Sequence, residues 1–517
     1  MKNKKQYSKL LALVLTVITC VGAFGGCKQK EEEVEIPVSL PEYDNSLELD
    51  LMGYVNPTDG SYTFDGSAMN SGTDYRTVDR FQEYMDAGFN IAFARYDTQL
   101  KSDTTTETWP TCGTKIFCDK AYEAGIKKIV ISDQFFSVLI SEGVAERYST
   151  QEELDAATAA RLSIYKDTPG FYGIALNDEP RYYLLDDYGL VFKSIKRVMP
   201  ECFIYNNLHY CHKADTDTEI YVDTAAWEEE HGSYPTNKEA YTAYLRHFFE
   251  ATGAKQLAID VYPFKETASE WVNSFYPNLQ ILKNICNEYG AEMSFTMQSI
   301  SYISNGVYTN RIMTRNDLWL QMNALLGFGA TSLQYYTYFP YPSYSDTNTS
   351  VGNFIDRQGN KTSVYYNGQA VNAAVRKFDE VILNYEFQGA KFYLNSTLKT
   401  SPASNYFGSG STQFDNTYEH TLLKAITQDN DALLTTELKD EKNGLYMYMI
   451  MNAIDILHSS KGFMEYTDCT FTAEFPGYDY VAEFDCGELT YVKLDNGKYT
   501  KSLSSGYAVY LVPLKVA

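Results

Sequence analysis

Histidine is scarce in this chain, with six residues scattered through 517, and no CxxC or HxxxH spacing accompanies them. Without clustered nitrogen and sulfur ligands, no metal site is expected. Cysteine is nearly as sparse: setting aside Cys20 and Cys27, seven of the nine remain, an odd number spread over a long chain. Disulfides are therefore excluded as the framework of the fold. Cys112 with Cys118, Cys202 with Cys211, and Cys469 with Cys486 remain available as pairs, and free buried thiols are the alternative. No glycine-rich loop follows an apolar run, so neither a dinucleotide nor any other organic cofactor is expected. Positive charge is also in deficit, 43 Lys and Arg against 67 Asp and Glu. So acidic a surface argues against nucleic acid as a partner. Beyond the N-terminus no apolar run reaches the ~20 residues that a bilayer span needs.

The N-terminus itself reads as an export signal. Lys2, Lys4, Lys5 and Lys9 precede an apolar run over residues 10–18, and small residues lead to Cys27. The segment FGGC at 24–27 resembles a bacterial lipoprotein box. Cleavage there makes 1–26 the signal peptide and leaves Cys27 lipidated on a charged tether, 27–47. The alternative is an ordinary secretory signal with Cys27 a bystander. Either way the body is expected outside the cytoplasm, and with Cys27 lipidated it is a membrane-anchored protein of a bacterial cell surface. Loss of 1–26 removes four lysines and no acid, taking the formal charge from −24 to −28.

Aromatic residues are abundant, 45 Tyr and 28 Phe, with tyrosines clustered in loop-like segments such as 182–183 and 335–344. A tyrosine offers an apolar ring and a polar edge, which suits the two faces of a sugar. Most of these rings must nonetheless be packing residues.

From about 49 to 385, short apolar runs alternate with longer amphipathic ones, the signature of βα units and a parallel sheet. Eight strands are expected at 49–55, 89–95, 127–132, 171–176, 202–208, 256–261, 292–297 and 331–336. Helical periodicity lies between them at 77–87, 152–165, 185–198, 239–251, 272–289 and 316–328, with a last helix at about 370–385. Eight such pairs predict an α/β fold, a (β/α)8 TIM barrel over 48–387, with a doubly wound sheet as the other architecture. Beyond 388 the texture turns to short alternating runs, at 392–394, 444–452, 470–475, 480–484, 489–493 and 507–513. These predict a small all-β sandwich over 388–517.

In such a barrel the chemistry sits where strands give way to βα loops. The fourth strand ends abruptly in polar residues, GFYGIALNDEP over 170–180. Glycoside hydrolysis needs two carboxyl groups, one to protonate the leaving oxygen and one to attack the sugar or activate water. Glu179 is the leading candidate for the acid, with Asp260 and Asp178 as partners. Asp133 ends strand three, and Arg95, Asn177, Asn207, Tyr262, Gln298 and Tyr336 stand at other strand ends, where they are expected to contact substrate. Each acid has a structural alternative: Asp133 as a helix cap, Asp178 and Glu179 as a helix start beside Pro180, Asp260 as the orienter of an inward arginine. His209 reads as structural.

The order of elements, the ending NDEP at 177–180 and the segment MNALLGFGATSLQYY at 322–336 resemble clan A glycoside hydrolases, especially bacterial β-galactosidase-like barrels. The resemblance covers about 49–385. It implies an acid/base Glu at the end of strand four, matched by Glu179, with Asp178 where the clan usually carries Asn. It also implies a nucleophilic Glu ending strand seven, where this chain has Gln298. An amide can neither attack an anomeric carbon nor take a proton from water. Three accounts follow: Asp260 or Asp178 replaces the missing carboxylate; a substrate acetamido group attacks while Gln298 positions it; or the barrel is a non-catalytic surface glycan-binding lipoprotein. A carbohydrate is the expected partner in each.

Overall fold

The computed structural model describes residues 36–58, 63–64, 67–68, 73–95, 99–211, 215–265, 272–305, 307–340, 349–394, 414–429, 432–453 and 468–516. The export signal, Cys27 and most of the tether lie outside the described residues. Val38–Ala517 forms one compact unit.

All eight expected barrel strands are present, each within a few residues of its expected bounds: β1 Asp50–Gly53, β2 Ile91–Ala94, β3 Lys128–Ser132, β4 Phe171–Asp178, β5 Phe203–Asn207, β6 Gln256–Asp260, β7 Glu292–Gln298 and β8 Ala330–Tyr336. They pair in parallel in the order β5-β4-β3-β2-β1-β8-β7-β6. The remaining seam, β5 against β6, closes at its upper end through a parallel bridge between Leu208 and Ile259. There the Leu208 amide donates to the Ala258 carbonyl at 2.9 Å. Lower down, the Asn206 side chain stands in for strand pairing: its Nδ2 donates to the Gln256 carbonyl at 3.0 Å and its Oδ1 accepts from the Ala258 amide at 3.3 Å. Met52, Ile91, Phe93, Val130, Ala175, Tyr205 and Ala258 fill the interior, so the barrel is a packed core and not a pore.

The helices around it start where the sequence supplies caps. The helix α1, Val78–Asp86, is capped by Thr77. Three helices begin in full capping boxes: Gln151–Leu162 at Thr150 with Glu153, Asn237–Thr252 at Thr236 with Glu239, and Arg315–Gly327 at Thr314 with Asp317. Three helices lie outside the segments of helical periodicity, Gly113–Ala124, Gln134–Glu142 and Thr224–His231. The expected last helix is Ser363–Val375 followed by one turn, Asp379–Ile382. No described helix is long and apolar enough to cross a membrane.

The antiparallel region opens with β9 Glu386–Leu394 and continues through β10 Ala425–Gln428, β11 Ala432–Asp440, β12 Leu445–Asn452, β13 Cys469–Glu474, β14 Tyr480–Asp485, β15 Glu488–Lys493, β16 Lys498–Leu503 and β17 Ala508–Leu514. Six strands form one sheet, β9-β11-β12-β17-β14-β15, and three form the other, β10-β13-β16. Strand alternation divides the labour of β12. Tyr448 and Ile450 pack with Phe471, Val481 and Val509 in the sandwich core, while Met447, Met449 and Met451 join the barrel's core. What those methionines meet includes the helix Arg315–Gly327, buried on all sides from Asp317 onward. A Cβ on its Gly327 would lie 2.6 Å from Met449 Cε and 3.0 Å from Thr436 Oγ1, so a larger residue there requires the methionine end to shift. Polar ties hold the same surface: Asn316 Nδ2 donates to the Ser505 carbonyl and Asn323 Nδ2 to the Gly506 carbonyl, at 2.8 and 3.0 Å.

The seven described cysteines are all free, so none of the three conceivable pairs forms. Cys112 caps the helix Gly113–Ala124, its Sγ accepting from the Lys115 amide.

Candidate active site

The end of β4 is shaped by a bulge. Its register against β5 pairs Ala175 with Tyr205 but Asp178 with Asn207, one residue more on β4 than on its partner. An inserted residue re-aims the side chains that follow it. Asn177 consequently leaves the mouth: its Nδ2 donates to Ser141 Oγ on the helix Gln134–Glu142 at 3.1 Å. Asp178 turns toward β2 and β5 instead. Its Oδ2 accepts from Arg95 Nη2 at 3.0 Å and its Oδ1 from Asn207 Nδ2 at 3.1 Å.

Glu179 follows in a left-handed conformation, φ 46°, which L-residues other than glycine adopt at a cost of about 1–2 kcal/mol. Its amide donates to the Asn207 carbonyl at 2.8 Å, and the next carbonyl, Pro180, accepts from Tyr244 OH. Those two anchors pin the turn. The Glu179 carboxylate is 39 % exposed and lies 3.5 Å from His209 Nδ1.

Asp260, the last residue of β6, lies partly buried beside them. Asn207 Nδ2 reaches it at 3.3 Å while also bonding Asp178, and Tyr262 OH donates to it. Burial pushes the Asp260 carboxyl well above the usual carboxylate range, and the charges of Glu179 and Asp178 push it further; Tyr262 and Asn207 pull weakly the other way. The Tyr262 hydroxyl is likewise pushed up, by burial first and by Asp260 second.

An aromatic wall completes the mouth. Tyr262 stacks on Tyr336 with centroids 5.3 Å apart and rings inclined by 24°. The edge of Tyr54, just past β1, meets Tyr336 at 5.7 Å, and Tyr54 OH shares a 2.5 Å hydrogen bond with Tyr205 OH beneath. Arg95 extends over the Tyr54 and Phe93 rings.

Two expected site residues belong elsewhere. Asp133 is fully buried as the cap of the helix Gln134–Glu142. It accepts from the Phe135 amide at 2.9 Å, from Arg161 Nε and Nη2 at 2.7 Å each, and from Tyr165 OH at 3.0 Å. With its acceptor sites taken by structure, it has no face for a sugar. Gln298 is also fully buried, as a backbone clamp. Its Oε1 accepts from the Phe264 amide at 2.8 Å, and its Nε2 donates to the Phe264 and Ile300 carbonyls. Both roles need an amide, which explains why Gln stands here; positioning a substrate acetamido group does not.

The mouth thus gathers Arg95, Asp178, Glu179, Asn207, Asp260, Tyr262 and Tyr336, while Asn177, Asp133 and Gln298 support it from outside. Tyr54, Tyr205 and Tyr244 were not singled out from sequence. The first two were legible, since they fall in the runs 49–55 and 202–208; Tyr244 needed the tertiary contact. Among the described residues no three His, Cys, Asp or Glu side chains converge to hold a metal ion.

No protein-family model and no curated protein matches this chain. Solved structures that it resembles include a family 39 glycoside hydrolase from the gut symbiont Bacteroides cellulosilyticus, at 14% identity and a TM-score of 0.45 over 92% of this chain and 83% of the other. A second, described as a glycoside hydrolase, matches at 10% identity and 0.48 over 90% and 93%. A family 5 glycoside hydrolase from Bacteroides vulgatus matches at 10% and 0.46 over 90% and 89%. Likenesses this remote leave the chemistry of the mouth to be argued from its own residues.

Proposed function

We propose that the barrel mouth hydrolyses a glycosidic bond, with Glu179 and Asp260 as its two carboxyl groups. The observation that carries this reading is the convergence of three carboxyls on one opening, of which Asp178 is neutralised by Arg95 while Asp260 is driven toward its protonated form. One protonated and one ionised carboxyl are what the reaction needs. The Tyr262 and Tyr336 rings offer an apolar platform for a sugar face, and Arg95 with Asn207 supplies donors for its hydroxyls. With Gln298 an amide, Asp260 brings the mouth's carboxyls to the two that the reaction needs. Release of reducing sugar from a panel of aryl glycosides and oligosaccharides, lost in Glu179→Gln, supports the assignment. Saturable sugar binding by both proteins with no release supports the alternative, a surface glycan-binding barrel.

Export and anchoring at Cys27 belong to the same reading, supported by the lysine-rich start, the apolar run and the FGGC box. Labelled fatty acid should enter the wild-type chain in a bacterial host and fail to enter Cys27→Ser.

A further inference from the structure

Three acids face the mouth, and the cations beside them are unevenly shared. Asp178 is paired with Arg95 and Glu179 with His209, which is charged only when protonated. Among the described residues no Lys, Arg or His is ion-paired with Asp260; its hydrogen-bond donors are the neutral Asn207 amide and the Tyr262 hydroxyl. Tyr262, which bonds Asp260, is itself stacked on Tyr336, while the Glu179 carboxylate is 39 % exposed.

Resting on the hydrolase reading above, we propose that Asp260 is the proton donor to the leaving oxygen and that Glu179 is the ionised partner. This reverses the roles expected from the chain's resemblance to clan A enzymes. The Asp260 proton passes to the glycosidic oxygen as the C–O bond breaks, and that oxygen leaves as an alcohol with the bonding electron pair. The oxygen of a water bonds to the anomeric carbon and the water's proton passes to Glu179. Proton exchange with solvent returns Asp260 to its protonated state and Glu179 to its ionised one. Asn207 is a positioning residue: its Nδ2 bonds Asp260 and Asp178 while its carbonyl accepts from the Glu179 amide, so one residue ties both acids to the end of β5.

Two experiments on the full chain separate this assignment from the reading beneath it. In the first, Asp260→Asn and Glu179→Gln are compared on glycosides with good and poor leaving groups. A 2,4-dinitrophenyl leaving group needs no proton, whereas an alkyl one does, and a general acid contributes about 10²–10⁴-fold. Asp260→Asn is expected to lose about 10³-fold on alkyl glycosides and less than about 10-fold on the dinitrophenyl glycoside. Glu179→Gln should slow both alike. The reverse pattern, with Glu179→Gln sparing the dinitrophenyl substrate, overturns the proposal and leaves the hydrolase reading intact. In the second, carbon-13 NMR of labelled aspartate follows the Asp260 carboxyl through a pH titration, assigned by its loss in Asp260→Asn. A neutral carboxyl at pH 7 that titrates at lower pH in Glu179→Gln supports the proposal; an ionised one overturns it. Should the wild type cleave no glycoside at all, the hydrolase reading fails and the titration still locates the proton.

Discussion

Asp133→Asn tests the removal of this acid from the candidate site. In the wild type Asp133 accepts four hydrogen bonds, two of them from the Arg161 guanidinium, and both side chains are almost wholly excluded from water. Asparagine keeps one oxygen for the Phe135 amide but turns an NH2 group toward Arg161, donor against donor. Arg161 retains its bonds to the carbonyls of Lys101, Ser102 and Thr104 and is left as a buried charge without a counter-ion. Breaking a buried pair from one side costs about 3–5 kcal/mol, a large share of the roughly 5–15 kcal/mol that stabilises a typical protein. Urea unfolding followed by tryptophan fluorescence should show the midpoint fall by that equivalent at unchanged slope. The double replacement Asp133→Leu, Arg161→Met removes both charges and should cost less than the single one. Sugar affinity of the folded fraction should not change. A loss below about 1 kcal/mol, or lost affinity at unchanged stability, refutes the reasoning, the latter by placing Asp133 in the mouth.

Gln298→Glu, which restores the residue that clan A resemblance leads one to expect, should not create or raise activity. It leaves the Phe264 and Ile300 carbonyls without their donor and sets a buried carboxylate against them, at a cost of at least about 2 kcal/mol seen in denaturant. A gain in turnover would show that the side chain can reach substrate. Tyr262→Phe removes a donor that favours the ionised form of Asp260, so the carboxyl's pKa should rise further. With Asp260 required in its protonated form, the alkaline limb of the kcat/KM profile should move to higher pH; a shift to lower pH or none contradicts the assignment.

The barrel was legible because each strand is an apolar run set between amphipathic helices, several of them with their own caps, a pattern that depends on local sequence alone. Harder to see was β11, where Thr435, Thr436 and Glu437 are buried and break the apolar signal. Two of those polar groups find distant partners, Glu437 accepting from Tyr418 and Thr421 and Thr435 bonding His420. Asp178, Glu179, Asn207, Asp260, Tyr262 and Tyr336, expected at strand ends, do lie together at one end of the barrel. Asn177 was misplaced because a bulge adds a residue without any mark in the sequence. Asp133 was misplaced because its partner Arg161 lies 28 residues away, and Gln298 because its clamp on Phe264 spans 34. In each case the deciding fact was a tertiary hydrogen bond.

The most direct measurement is sugar release by the wild-type chain from a broad panel of glycosides, beside Glu179→Gln and Asp260→Asn. Cleavage of at least one glycoside by the wild type, with an alkyl member of the panel slowed about 10²-fold or more in each variant, is the predicted result. No release from any substrate, with saturable sugar binding that survives both replacements, would contradict it and make this mouth a binding site.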